Sequence, residues 1–209
     1  MTSAKRLPAD ERRLQLVDVA LKIFSERGFN ATTMDDIAAA AGVTKPLLYQ
    51  HFDSKRALYL ELVDSVAATM FDAITEATSL AEGPKQQVEG GLAAYFRLVV
   101  THADAFHLLF GSDAPNDPEL SQALRHVEDV LAGAVNSLID VGLDESHRRL
   151  LAYAVVGMAE GASRFLLADR DSQDTPDQNP DAQRAEIDRL ARRLGDLVWA
   201  GLRSVHSDL

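Results

Sequence analysis

The chain has no cysteine, so neither a disulfide framework nor thiol chemistry is open to it. Its first residues, Met1-Thr-Ser-Ala-Lys-Arg-Leu-Pro, lack the apolar run that a signal peptide needs. The longest apolar stretch, Leu150 to Ala159, falls well short of the roughly 20 residues that cross a bilayer. These absences predict a soluble cytoplasmic chain with no membrane-spanning part. Catalytic signatures are missing as well: there is no His-Glu-x-x-His, no glycine-rich phosphate loop and no Gly-x-Ser-x-Gly. His102 and His107 are five apart and do not share a helical face, while His126 and His147 are isolated. An enzyme is not expected, and nothing calls for a metal or a cofactor.

Strand patterns and internal repeats are also absent, whereas apolar residues recur at helical spacing along the chain. The expected class is all-α. A first helix is predicted over 9–27, with Leu14, Val17, Leu21 and Phe24 inward and Gly28 ending it. Another should begin near Lys55 and run past Phe71. Helices follow over 84–102, 104–110, 118–141, 144–169 and 182–205, with loops by composition at 113–118 and 170–181.

What is present most distinctly is Thr33 to Phe52. Thr33 is a good N-cap, and Asp36 can return a bond to it. Met34, Ile37, Ala38 and Ala41 make one face of a short helix apolar, and Ala38 is small enough to let a second helix pass closely. Gly42 stands where the chain must turn, and glycine takes a left-handed conformation at little cost. Val43 plugs the space between the helices, Thr44 caps the second one, and Pro46 lies in its first turn. Leu48 and Phe52 face inward. Lys45, Pro46, Leu47, Tyr49, Gln50 and His51 are left on the outer side or its margins. Such a hinge frees the second helix to enter a DNA groove. Lys45 can bond a phosphate or a guanine edge, Gln50 can pair with adenine, and Tyr49 and His51 suit phosphate oxygens.

Net charge is −11, an odd balance for a DNA binder until it is divided. Residues 1–56 hold nine Lys or Arg against seven acids, and the remainder holds twelve against twenty-five. The acidic body either orients the approach to DNA or simply keeps the chain soluble. Arg6, Arg12 and Arg13 form either a DNA-touching arm or a solvated basic tail.

With Ile37-Ala-x-x-Ala-Gly-Val-Thr44, Leu48-Tyr49-x-His51-Phe52 and Ser54-Lys55-x-x-Leu58, about the first sixty residues resemble the amino-terminal signature of the TetR family. The resemblance implies a three-helix helix-turn-helix domain over 1–54 and a helical effector-binding and dimerisation domain over 55–209. It places Thr33, Thr44, Lys45, Tyr49, His51 and Lys55 at positions that touch DNA. Leu47 departs from the pattern, since many relatives carry Thr or Ser there; leucine can pack on a thymine methyl instead.

Two apolar surfaces remain. Leu151, Ala154, Val155, Met158, Ala162 and Phe165 on one long helix, with Gly157 and Gly161 permitting close approach, and Leu190, Leu194, Leu197, Val198 and Leu202 on the last, exceed what one hairpin needs. The family pairs the corresponding helices across a twofold axis, which also suits a palindromic operator on double-stranded DNA. Phe71, Tyr95, Phe96, Phe106, Leu109, Phe110, Met158 and Phe165, with His102, His107, Asn136 and Arg164, form either an effector pocket or a filled core. Ala105 to Glu119 resembles, more loosely, actinobacterial members that answer to long-chain acyl-CoA. The resemblance therefore implies a homodimeric repressor released from its operator by a small, largely apolar effector. A DNA-binding protein without a ligand is the alternative.

Overall fold

The computed structural model describes residues 8–110, 117–139, 142–172 and 179–204. Among them are nine helices and no strand: α1 (Ala9–Ala31), α2 (Met34–Ala40), α3 (Lys45–His51), α4 (Lys55–Ser79), α5 (Pro84–Thr101), α6 (Ala103–Phe110), α7 (Pro118–Leu138), α8 (Glu145–Ser172) and α9 (Pro180–Ser204). The class is all-α, as expected. Gly28 breaks α1 at φ 74° and ψ 165°, a conformation open almost only to glycine. The expected basic residue Arg6, residues 113–116 and 173–178 of the two expected loops, and Val205 lie outside the described residues; 170–172 and 180–181, expected in a loop, belong to α8 and α9.

The helices fall into two compact units. The first holds α1 to α3, the start of α4, α6 from Asp104, and the start of α7. Its core is built from Leu16, Ala20, Ile23 and Phe24 of α1, Ile37 of α2, Leu48 of α3, and Leu58, Tyr59 and Leu62 of α4. Each such leucine or isoleucine contributes roughly 1.5–3 kcal/mol by leaving water. The stripe of α1 is therefore turned from the expected one: Leu14 is 66% exposed, and Leu16 and Ala20 take the inner places. The reason is register, since Phe24 lies at i+4 and i+8 from Ala20 and Leu16 but ten residues from Leu14. Tyr59 joins α6 to this core. Its ring meets Phe24 and Phe29 edge-on at 5.2 and 5.1 Å, and its hydroxyl donates to the Leu108 carbonyl at 3.3 Å. Burial pushes the Tyr59 phenol up to about 12.

The second unit holds the rest of α4, α5, most of α7, α8 and α9. Here α5 and α9 lie close: a Cβ added at Gly195 would come within 3.1 Å of Glu89 Cγ, and Arg97 donates to Asp188 Oδ1 at 2.6 Å. Helices α4 and α5 also cross tightly, with Gly90 leaving room for the Ala77 carbonyl at 3.2 Å from where a Cβ would stand. The N-terminus of α8 is capped by Asp144, whose Oδ1 accepts from the Ser146 and His147 amides at 2.9 and 3.1 Å. By length and composition α8 could also cross a membrane, and 33% of its apolar stretch is buried. Its buried residues, Ala152, Val155, Ala159, Ser163, Leu166 and Leu167, recur at helical spacing on the side that faces this unit's core.

Candidate nucleic-acid interface and ligand cavity

Local sequence builds the turn between α2 and α3 almost completely. Thr33 Oγ1 accepts from the Asp36 amide at 3.2 Å, and Asp36 Oδ2 accepts from the Thr33 amide at 2.9 Å, a full capping box. These bonds hold the Asp36 carboxyl below the usual carboxylate range, with Arg27 assisting. At the other end of α2, Gly42 takes φ 65°. Its amide donates to the Ala39 carbonyl at 3.1 Å, and the Val43 amide donates to the Ala38 carbonyl at 3.0 Å. That pair of bonds is a Schellman stop, and it aims the next residues away from the α2 axis. Thr44 then occupies the N-cap of α3, but its hydroxyl makes no capping bond; the Thr44 carbonyl accepts from Leu47 and Leu48 instead. Leu48 and Phe52 are buried, which turns the opposite side of α3 outward.

On that outward side Thr44, Lys45, Pro46, Tyr49 and Gln50 are exposed, and Leu47 and His51 are half-buried. Among the described residues the side chains of Thr44, Tyr49 and Gln50 make no hydrogen bond, so their donors are available to a ligand. Lys45 Nζ bonds Asp35 Oδ2 at 2.9 Å, an exposed pair that raises the lysine pKa. Water-facing pairs of this sort are worth little and exchange readily for a phosphate. Thr33 is differently placed. Its hydroxyl donates to Asp36 Oδ2 at 2.5 Å, so its one O–H is already committed within the cap.

Two of the expected cationic contacts sit inside the fold. Lys55 Nζ donates to the Phe29 and Thr32 carbonyls, both at 2.7 Å, and lies 4.2 Å from the Phe29 ring centre. Two of its three N–H groups thus tie the start of α4 to the α1–α2 connection, and burial lowers its pKa. Arg13, expected in an arm or tail, donates to the His51 carbonyl at 2.6 Å and to Glu61 Oε2 at 2.5 Å, with its guanidinium 4.4 Å over Phe52. Arg12 donates to Gln15 at 2.7 Å. The sequence held no signal for the Arg13 contacts, because the partners are 38 and 48 residues away.

The second unit contains a cavity of about 310 Å³. Its wall includes Phe71 and Ile74 of α4, Leu92 and Tyr95 of α5, Leu131 and Val135 of α7, Val155 and Ala159 of α8, and Val198 and Leu202 of α9, and among the described residues no lining side chain is charged. Burial pushes the Tyr95 phenol up to about 12, with Ser163 hydrogen-bonded to it and opposing the shift.

Of the ten residues expected at a pocket, Phe71 and Tyr95 line it. Phe96 is buried but is not part of the wall. Phe106 and Phe110 are buried in the other unit, with ring centres 5.1 Å apart. His102 ends α5 in an exposed position. Asn136 donates to Glu145 at 3.3 Å, and Arg164 pairs with Glu160. Met158 and Phe165 point outward, Phe165 with 73% of its surface exposed.

On α8 the exposed apolar and glycine residues include Leu150, Ala154, Gly157, Met158, Gly161 and Phe165, at helical spacing; on α9 they include Leu197, Ala200 and Gly201, with the charged Arg193 and Asp196 exposed nearby in sequence. A Cβ added at Gly157, Gly161 or Gly201 would meet nothing within 4 Å. Of the eight residues expected at an interface, Leu197 is 61% exposed, and Leu151, Ala162, Leu190 and Leu194 are half-buried. Val155 and Val198 are buried and line the cavity with half-buried Leu202. Leu151 and Leu202 also pack on the cluster of Ala132, Ile139 and Ala152. Periodicity had merged two faces of α8 and α9, one inward and one outward.

Residues 16–62 match the family described as "Bacterial regulatory proteins, tetR family". Over 202 residues, covering 96% of this chain and 87% of the other, the sequence is 30% identical to the HTH-type transcriptional activator FasR of Mycolicibacterium smegmatis. The crystal structure of a TetR-like transcriptional regulator from a Rhodococcus species covers 96% of this chain and 100% of its own, with a TM-score of 0.75 at 26% identity. FadR of Bacillus subtilis, solved in complex with stearoyl-CoA, covers 92% and 99% with a TM-score of 0.73. At 15% identity that likeness speaks for the fold alone.

Proposed function

Because the chain belongs to the TetR family and is a DNA-binding transcriptional regulator, not an enzyme, we propose that it is a homodimeric repressor released from its operator by a small, largely apolar effector. Residues 1–54 form the reading part, and residues 55–209 bind effector and the second copy. Thr44, Lys45, Tyr49, Gln50 and His51 contact DNA, with Pro46 and Leu47 packed against it. A bacterial regulator of this kind works in the cytoplasm, where the operator is.

The observation that carries the reading is α4. It runs unbroken from Lys55, tied to the connection before α2, to Thr78, and Phe71, Ile74, Thr75 and Thr78 wall the cavity. An occupant that pushes on that wall acts on the helix that leads out of the reading part. Two copies reading a palindrome must hold their α3 helices about 34–36 Å apart or a multiple of it, so a small shift of α4 weakens binding. The exposed α8 and α9 face, with its small residues, fits a second copy. An acyl-CoA is the favoured effector class: the wall is apolar and uncharged, and FadR of similar fold was solved with stearoyl-CoA.

Selection of bound duplexes from a randomised pool, with Tyr49→Ala as control, tests this. A palindrome recovered by the natural chain alone, and released by acyl-CoA with the dimer intact, is the expected result. Recovery of no preferred sequence would overturn it. A second reading has one observation in its favour: FasR, similar along nearly the whole chain, is named an activator. A transcription assay on the recovered site separates the two, by fall or rise of transcript when protein is added.

A further inference from the structure

The cavity wall offers few polar groups, and most are already engaged. The Thr78 hydroxyl donates to the Ile74 carbonyl at 2.9 Å, and Ser137 donates to the Ala134 carbonyl at 2.7 Å. The Tyr95 hydroxyl is bonded with Ser163. Gln87, half-buried in the first turn of α5, and Thr75, exposed on α4, also line the cavity. Among the described residues neither of these two side chains makes a hydrogen bond. Lys85, two residues before Gln87, is bonded to Asp196 at 2.9 Å and Glu89 at 3.4 Å.

A half-buried primary amide with two N–H donors and a carbonyl is costly to leave unmatched when an apolar body excludes water from it. Resting on the effector reading of this cavity, we propose that it selects an apolar chain that carries an uncharged carbonyl or hydroxyl, bonded by Gln87 and Thr75, and that it discriminates against a free carboxylate. An ester or thioester carbonyl accepts from the Gln87 amide and the Thr75 hydroxyl without bringing charge into the wall. A carboxylate at the same point gives up hydration with no cation among the described lining residues to compensate, which is the more expensive transfer. The selective element is therefore a pair of neutral donors on a largely apolar wall whose other polar groups are already engaged.

The test uses the full chain, stripped of bound lipid, with methyl decanoate, decanoate and undecane as probes at neutral pH. The fluorescence of Trp199, the neighbour of lining residue Val198 and the only tryptophan, reads binding. The ester is expected to bind at least about tenfold more tightly than the carboxylate. Gln87→Leu should raise the ester Kd about fivefold while leaving undecane within about twofold, and Thr75→Val at the rim should act in the same direction. A carboxylate that binds as tightly as the ester overturns the ligand class. Variants that keep full ester affinity, or lose ester and undecane equally, overturn the role of the two donors. Binding of none of the three probes to protein that unfolds cooperatively overturns the effector reading itself, and this inference with it.

Discussion

The Arg13 guanidinium donates to the His51 carbonyl at 2.6 Å, closing the C-terminal end of the helix that carries Tyr49 and Gln50. The same group reaches Glu61 and covers Phe52, so one side chain on α1 fixes both α3 and α4. A cation is also well placed against the negative end of a helix.

Arg13→Met should lower stability by about 1–2 kcal/mol, a charged hydrogen bond discounted for groups that are 40% and 38% exposed. DNA affinity should fall on all sequences, because α3 is less well held. The slope of log K against log salt separates this from a DNA-touching arm. It should stay unchanged; a slope smaller by about one unit would put Arg13 on a phosphate.

The capping box makes a pH prediction. The Asp36 carboxyl is held below its ordinary value in the folded chain, chiefly by its bonds with Thr33. A depressed folded pKa means that its stabilisation is present above the unfolded value and is lost as pH falls through about 4 and below. Thr33→Ala should cost about 1 kcal/mol at neutral pH and flatten this part of the acid limb. Denaturant midpoints measured from neutral to acid pH check it; an unchanged acid limb in the variant would remove the cap as its cause.

The contrast between these two residues explains what the sequence could reveal. Thr33, Asp36, Gly42 and Val43 each bond a partner no more than five residues away, so their bonds follow from spacing alone. Arg13 meets partners that only the fold brings near, and from the sequence it therefore reads as part of a DNA-touching arm or a solvated basic tail. Aromatic content misled for the same reason. Phe106 and Phe110 have the composition of a pocket lining, yet α6 buries them in the first unit, away from the cavity wall. From Leu150 to Ala159 helix α8 carries no charged residue, and apolar residues resume at Phe165, so its periodicity could not say that Val155 faces a cavity while Phe165 faces out.

For DNA reading, Gln50 and Tyr49 should differ in kind. Gln50→Ala should relax preference at one base pair by roughly 1–3 kcal/mol, since an amide that pairs with an adenine edge is lost. Tyr49→Phe should weaken binding about equally on every sequence, as loss of a phosphate bond carries no base information. Affinities on a set of single-base operator variants distinguish them. An unchanged preferred site in Gln50→Ala would mean that Gln50 does not read bases.

Gly161 offers the cleanest separation of folding from assembly. A Cβ there meets nothing described within 4 Å in its own chain, so the side chain of Gly161→Leu starts in open space. Replacing a helical glycine should in fact stabilise the isolated chain by up to about 1 kcal/mol. Across a second copy packed on Gly157, Gly161 and Phe165, the same leucine would hold the two helices apart and forfeit their close contact. The expected outcome is a monomer by sedimentation with an undiminished thermal midpoint after correction for protein concentration. Operator affinity should drop steeply, because one α3 alone then meets each half-site. A variant that remains dimeric at low micromolar concentration would show that the copies meet through some other surface.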